Sequence, residues 1–341
     1  MLLVLNALKY LAYILIFPGF LFSFLVGMLL TGIDRKIVAR MQKRVGPPIL
    51  QPFYDFFKLL GKETIVPDAA NRRVFLLAPL VGLAGITVLQ LFIPVFHFHV
   101  FDNVADVIVI LYLLLIPALA EILGAAASGS PYAGVGLSRE MVTILAVELP
   151  LLLVLLAVAK TVGSAMGRGL VFSLSTIVGY QELHGSLITK LSMIPAAVAF
   201  LLIIPGETGS HPFDTAEAET EICEGMMAEY SGAPLGVYKL THAMKIFTVV
   251  SLFVALFLGG IGAGIQNLVA AIGLSGAFAG ALSLLLQILV LVLLSIVLTI
   301  VCISFVHAIT ARLRIEQVFK YYWTIVTGFA LVSLVMAWYG L

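Results

Sequence analysis

Eight apolar runs constrain this chain before any single residue does. They lie at about residues 11–33, 74–95, 104–127, 139–159, 191–206, 239–260, 280–309 and 321–340. An α-helix needs about 20 apolar residues to cross the hydrocarbon core of a bilayer, where only helices and closed barrels satisfy their own backbone. The pattern therefore reads as an all-α integral membrane protein with about eight transmembrane helices. The fifth run is short unless it begins before Lys190, and the seventh is long enough to tilt or bend. Composition agrees, with 62% hydrophobic and 11% charged residues, where soluble domains carry roughly a quarter charged. The first run is too long for a signal-peptide core and lacks a convincing cleavage site, so it reads as an uncleaved span. No Ser- or Gly-rich linker interrupts the chain, and residues 1–341 read as one polytopic membrane domain.

The loops between the runs alternate in basic content. One side collects fourteen Lys or Arg residues and the other holds four: Lys9, Lys160, Arg168 and Lys190. The positive-inside rule puts the richer side, including loops 34–73 and 206–239, in the cytoplasm and both termini outside. Within the first loop, Leu50, Phe53, Phe57 and Leu60 recur at helical spacing, which predicts a short amphipathic surface helix. Two readings of it stand, a lipid-facing anchor and the wall of a cavity. The two cysteines, Cys223 and Cys302, are too few for an iron–sulfur cluster and read as small buried residues. Neither a nucleotide-binding glycine motif nor a zinc-type ligand pair is present. His97, His99 and His307 read as interface or hydrogen-bonded bundle residues.

Segment 206–232, GETGSHPFDTAEAETEICEGMMAEYSG, gathers seven of the eighteen acidic residues between two apolar runs. Asp214 and Glu217 fit a helical capping box. On the helix that box would start, Glu217, Glu221 and Glu224 fall within about 60° of one another, with Glu219 opposite. Like charges so placed repel, and coupled carboxylates that retain protons suit a proton path. The bland alternative is a solvated acidic face. Three more carboxylates lie inside runs: Glu121 in the third, Glu140 and Glu148 in the fourth. An ionisable group at mid-membrane costs roughly 2.5–3.5 kcal/mol on insertion scales and marks function by default. Glu140 and Glu148 lie about 12 Å apart along a helix. Glu140 also suits an edge pair with Arg139, and Lys245 reads either as an internal partner or as a snorkelling cation.

These residues resemble a family. Glu207, Thr208, Pro212, Phe213, Asp214, Glu217, Glu219, Glu221, Gly225, Glu229, Tyr230, Ser231 and Gly232 fall in step with a motif found in one of the membrane subunits of complex I. That protein joins the peripheral and membrane arms of respiratory complex I, and its relatives serve energy-converting membrane-bound hydrogenases and formate hydrogenlyases. The loop DRKIVARMQKRVGPPILQPFYDFFKLLGKE and the segment SREMVTILAVELPL are similar to further stretches of the family, so the likeness covers essentially the whole chain. The short KRVGPPILQPF wording and the Ser-Arg-Glu opening stand closer to the hydrogenase branch than to the quinone branch.

The resemblance implies a coupling subunit in the cell membrane with no redox centre of its own. Iron–sulfur clusters and a nickel–iron site would belong to peripheral hydrogenase-like large and small subunits, and antiporter-like membrane subunits would move H⁺ or Na⁺. By position, Glu207, Asp214, Glu217, Glu219, Glu221, Glu224 and Glu229 are expected at the loop end of an ion path. Glu148, Glu140, Glu121 and Lys245 continue it into the membrane. Arg35, Arg40 and Arg44 are expected on the docking surface for the peripheral arm. No metal or nucleic acid is expected on this chain, and the short loop wording argues against a bound quinone. Competing readings are a quinone-chamber subunit, a subunit of a related sulfur-reducing complex, a stand-alone cation transporter and a passive anchor.

Overall fold

The computed structural model describes residues 2–101, 106–271 and 276–340, apart from the side chains of residues 2–7, 219, 220 and 277. Among the described residues, seven helical stretches are long and apolar enough to cross a membrane, and the fold is helical throughout. The stretch expected as a fifth span is instead a short helix, α8 in the numbering below.

The first run is broken. Helix α1 covers Leu2–Leu15 and α2 covers Phe20–Met41. Between them Pro18 lacks an N–H, and a Cβ on Gly19 would strike the carbonyls of Tyr13 and Ile14. A single span over 11–33 is thereby corrected to a break followed by α2. The surface helix α3, Gln51–Leu60, follows, then α4, Arg72–Phe92, and α5, Val107–Ser128. Helix α6 runs over Pro131–Ala165, 35 residues, or about 52 Å at 1.5 Å per residue. It extends at both ends beyond the expected 139–159 and overshoots a hydrocarbon core of about 30 Å. Two short helices follow, α7 at Leu174–His184 and α8 at Ile194–Glu207. Next come the single turn α9, Glu219–Ile222, and then α10, Gly232–Leu258. Helix α11, Ile261–Ala271, follows. Helix α12, Ala277–Thr299, passes through a π-turn into α13, Phe305–Ile309. Helix α14, Ile315–Tyr321, passes through another into α15, Thr327–Tyr339.

Helix α10 is the axis of the bundle. It packs against α2, α3, α4, α7, α8 and α12, and 89% of its most apolar window is buried. A helix enclosed on every side shows no strong amphipathic stripe, and α10 has apolar residues on every face apart from Lys239, His242 and Lys245. Helix α8 has only 14 residues, yet it lies against α6, α10 and α15. Enclosure by neighbours lets so short an element stand at membrane depth. At the opposite end from the acidic loop, the buried Gln181 side chain ties α7 to α10. Its amide donates to the carbonyls of Ala255 and Leu256 at 2.9 and 3.0 Å, and its oxygen accepts from the Gly259 and Leu187 N–H groups.

The axis depends on small residues where helices touch. A Cβ on Gly27 of α2 would lie 2.5 Å from the Ala243 carbonyl oxygen of α10. Gly27→Val should therefore force α2 and α10 apart at a cost of about 1–3 kcal/mol. Thermal unfolding of the detergent-solubilised protein should show its midpoint lowered by several degrees. Leu25→Val, at a side chain 44% exposed on the outer surface of the same helix, should barely move it.

Candidate functional site

The acidic segment does not form the continuous helix its spacing suggests. It folds as three single turns, Thr215–Glu217, Glu219–Ile222 and Gly225–Met227, with Cys223 and Glu224 in the left-handed region at φ 51° and 66°. A one-sided row of Glu217, Glu221 and Glu224 is thereby ruled out. The capping box fails as well, because the Asp214 side chain caps nothing. Arg312 takes it instead, with Nε donating to Oδ1 at 3.0 Å and Nη2 to Oδ2 at 2.6 Å. A bidentate charge-assisted pair outweighs a cap of about 1 kcal/mol.

Once the row is broken, each carboxylate has its own setting. Glu221 faces outward and accepts from Arg139 Nη1 at 2.6 Å. Arg139 therefore serves the loop rather than Glu140, and it also donates to the Thr215 carbonyl at 3.3 Å. Glu224 is exposed at the rim of a cavity of about 230 Å³, and Glu229 is half-buried. The Glu219 side chain lies outside the described residues. Glu217 turns inward and lines two cavities: the larger one, and a smaller one of about 30 Å³. Burial, with Glu140 and Asp214 nearby and Lys239 opposing, pushes the Glu217 carboxyl up to about 7.

Glu121 of α5 and His242 of α10 also line both cavities, and Glu140 and Lys245 join them in the smaller one. Lys245 does not snorkel. Its Nζ stands 3.1 Å from Glu207 Oε1, and the two side chains are 12% and 9% exposed. Glu140 and Glu121 lie within the electrostatic reach of the same ammonium. Glu148, two turns further along α6, feels Glu207 and Lys245, and its Oε1 is buried with no hydrogen-bond partner. The structure thus gathers Glu217, Glu121, Glu140, Lys245, Glu207 and Glu148 between the loop and the bundle interior. Glu221 and Glu224 stay at the loop surface, while Asp214, held by Arg312, lines the smaller cavity.

Two tyrosines fix this geometry. Tyr230 Oη donates to the Phe75 carbonyl and Tyr238 Oη to the Ala120 carbonyl, each at 3.1 Å. Both hydroxyls fill the space where a Cβ on Gly124 would stand. Tyr238 thereby holds α5 against α10 at the residue before Glu121.

Helix α3 forms part of a cavity wall, the second of its two readings. Phe53 and Phe56 pack on Phe24, and Pro52, Asp55, Phe56 and Leu59 line the larger cavity. Tyr54 and Phe57 on its other face are 58% and 61% exposed. Arg35 pairs with Asp55 at 3.0 Å and lines the cavity, while Arg40 and Arg44 are exposed near the same end of α2. Burial opposes the Asp55 charge, but the Gln51 hydrogen bond and the Arg35 guanidinium hold its carboxyl below the usual carboxylate range. Cys302 is buried as expected, whereas Cys223 is exposed because the turn that carries it protrudes. Among the described residues, no group of three or more His, Cys, Asp or Glu side chains is gathered as a metal site.

Sequence reasoning missed Asp55, Tyr238, Lys239 and His242 in the cavity wall. His242 had a signal, since it precedes Lys245 by three residues and shares its helical face. The raised Glu217 pKa gives a direct prediction. The infrared band of a protonated carboxyl that Glu217→Gln removes should persist in mildly acidic solution and titrate away with a midpoint near 7. An ordinary exposed carboxylate would lose it near about 4.3.

Residues 13–338 match a family model described as NADH dehydrogenase. The chain is 37% identical over 231 residues to hydrogenase-4 component C of Escherichia coli strain K12, which covers 67% of this chain and 70% of that protein. It is 34% identical over 236 residues to formate hydrogenlyase subunit 4 of the same strain, covering 69% and 74%. It is 36% identical over 239 residues to a component of the NADH-quinone oxidoreductase of Rhizobium rhizogenes strain K84, covering 67% and 68%. A solved chain of the membrane-bound sulfane sulfur reductase, an archaeal respiratory membrane complex, matches with a TM-score of 0.80 at 32% identity, over 93% of this chain and 96% of that one. With the helical fold and the acidic loop, these likenesses show that the chain belongs to the NADH dehydrogenase family of membrane subunits shared by complex I and membrane-bound hydrogenases.

Proposed function

We propose that this chain is the membrane coupling subunit of a multisubunit, redox-driven ion pump of the energy-converting hydrogenase type. The observation that carries the reading is the buried Lys245–Glu207 pair, 3.1 Å apart, set among Glu121, Glu140 and Glu148 and reached from the loop through Glu217. A passive anchor has no use for so many ionisable groups at membrane depth.

In this reading electron transfer takes place on peripheral subunits that carry the iron–sulfur clusters and the nickel–iron site. They dock on the basic end formed by Arg35, Arg40 and Arg44, which faces the cytoplasm, with both termini outside the cell membrane. Redox turnover changes the charge around the 230 Å³ cavity. Glu217 and Glu121 gain or lose protons in response, and the altered field changes how Lys245 divides its attraction among Glu207, Glu140 and Glu121. Glu148 passes the change on to antiporter-like membrane subunits, where H⁺ or Na⁺ crosses. A second reading, in which the larger cavity admits a quinone headgroup, draws support from the apolar wall of Met28, Phe56, Leu59, Met227 and Leu235. The sulfane sulfur reductase chain, similar over nearly the whole length, supports a sulfur-reducing member of the same architecture.

Two measurements test the assignment. Purification in mild detergent should bring hydrogenase-like and antiporter-like subunits with this chain. Recovery of the chain alone, active in ion transport in liposomes, contradicts the reading. Within the complex, Glu148→Gln should lower coupled ion transport at least about tenfold, corresponding to about 1.4 kcal/mol, while assembly and electron transfer to a soluble acceptor persist. Wild-type transport in that variant removes Glu148 from the path.

A further inference from the structure

A second group of titratable side chains lies beside the carboxylate–lysine row, and no step above uses it. His307 of α13 is 37% exposed, and its Nδ1 stands 3.9 Å from Asp34 Oδ2 on α2. Its ring stacks on His211, with centroids 4.8 Å apart and planes inclined by 25°. Two polar atoms here, Asp34 Oδ1 and His211 Nδ1, are buried without a hydrogen-bond partner. Buried polar atoms are seldom left unpaired in a merely structural contact, so this pattern calls for an explanation. Asp34 lies on α2 between Thr31 and Arg35, which line the larger cavity together with His242, Glu121 and Glu217; the His242 ring lines the smaller cavity with the same two carboxylates, and the Asp34 and Arg35 charges reach it. From the loop, Asp214 and Arg312 act on His211. From α10, Lys245 acts on His242.

We propose that His307, Asp34 and His242, with His211 stacked behind, form a second proton inlet that supplies the Glu121–Glu217 cavity without using the acidic loop. The inlet rests on the coupling function proposed above and gives it a route of supply.

Each step moves one proton and no electrons. The partly exposed His307, two residues from the end of its spanning stretch, takes a proton and passes it to the Asp34 carboxylate. Their 3.9 Å separation is beyond a direct hydrogen bond and is closed by a bridging water or a small side-chain rotation. Asp34 then gives the proton to the His242 ring, and His242 delivers it to Glu121 or Glu217 across the cavity they share. His211 is the positioning member. Burial holds its imidazole below the ordinary histidine range, with His307 and Arg312 adding to the effect and Asp214 opposing it. It supports the stack behind His307.

The test uses the whole complex in liposomes, measuring proton uptake on the loop side during turnover. His307→Ala and the more conservative His307→Asn should each slow uptake about tenfold, and added imidazole should restore most of the rate. Asp34→Asn should slow uptake to a similar extent without rescue, because imidazole in solution does not replace an interior carboxylate. A merely structural tie between α2 and α13 is not mended by a small buffer molecule. Undiminished uptake in the His307 variants, or a loss that imidazole does not restore, overturns the inlet. Glu217→Gln in the same preparation separates the two levels. If it blocks transport while the His307 variants do not, only the inlet falls; if it too leaves transport intact, the coupling reading falls with it.

Discussion

The structure depends on one ion pair, Lys245 with Glu207, held where water is scarce. An ammonium or a carboxylate alone at that depth is costly, and breaking a buried pair typically destabilises by about 3–5 kcal/mol. The fold is arranged to keep the two together. Lys245 sits on α10, the most enclosed helix of the bundle. Glu207 closes α8, whose position is fixed by a tyrosine on the last spanning segment. Tyr322 Oη donates to the Leu202 carbonyl at 3.2 Å and occupies the space where a Cβ on Gly206 would stand. Thr208 Oγ1 donates to the Ile204 carbonyl at 2.9 Å and closes the helix end next to Glu207. A short α8 thus ends with its carboxylate beside Lys245.

The acidic loop is irregular for an electrostatic reason. Its carboxylates are drawn in different directions by cations on other elements, Asp214 by Arg312 and Glu221 by Arg139. A regular helix would align Glu217, Glu221 and Glu224 and gather their repulsion on one face. The left-handed residues at Cys223 and Glu224 let the chain reverse instead, so Glu217 enters the cavity while Glu221 stays exposed. One inward carboxylate with a raised pKa is a better switch near neutral pH than three that are partly screened.

Much of the fold was legible in the sequence, because hydrocarbon thickness and backbone hydrogen bonding leave few choices to an apolar run of 20 or more residues. Helices α4, α5 and α10, and the stretch from α14 through α15, follow from length alone. The break before α2 was less visible, since Pro18 and Gly19 sit inside an uninterrupted apolar run. Helices α7 and α11 escaped because 11 residues each carry too little periodicity to stand out. For the site, residue types and membrane depth pointed to Glu121, Glu140, Glu148 and Lys245. Helical geometry misled at Asp214 because its partner Arg312 is 98 residues away. No local pattern reveals a long-range bidentate pair, nor that Asp34 and His307 meet across 273 positions of chain.

The members of the family similar to this chain include subunits of a hydrogenase, a formate hydrogenlyase, an NADH-quinone oxidoreductase and a sulfane sulfur reductase. A shared membrane subunit beneath different redox chemistries fits a device that responds to charge rather than to a particular substrate. The most direct test is to exchange the charges of the central pair, comparing Lys245→Glu and Glu207→Lys with the double exchange in the purified complex. If the lysine field at Glu140 and Glu121 drives coupling, the double exchange restores folding and assembly lost in the single variants, yet ion translocation stays absent while electron transfer continues. Translocation at the wild-type rate in the double exchange would contradict the account, because the pair would then be only a structural clamp.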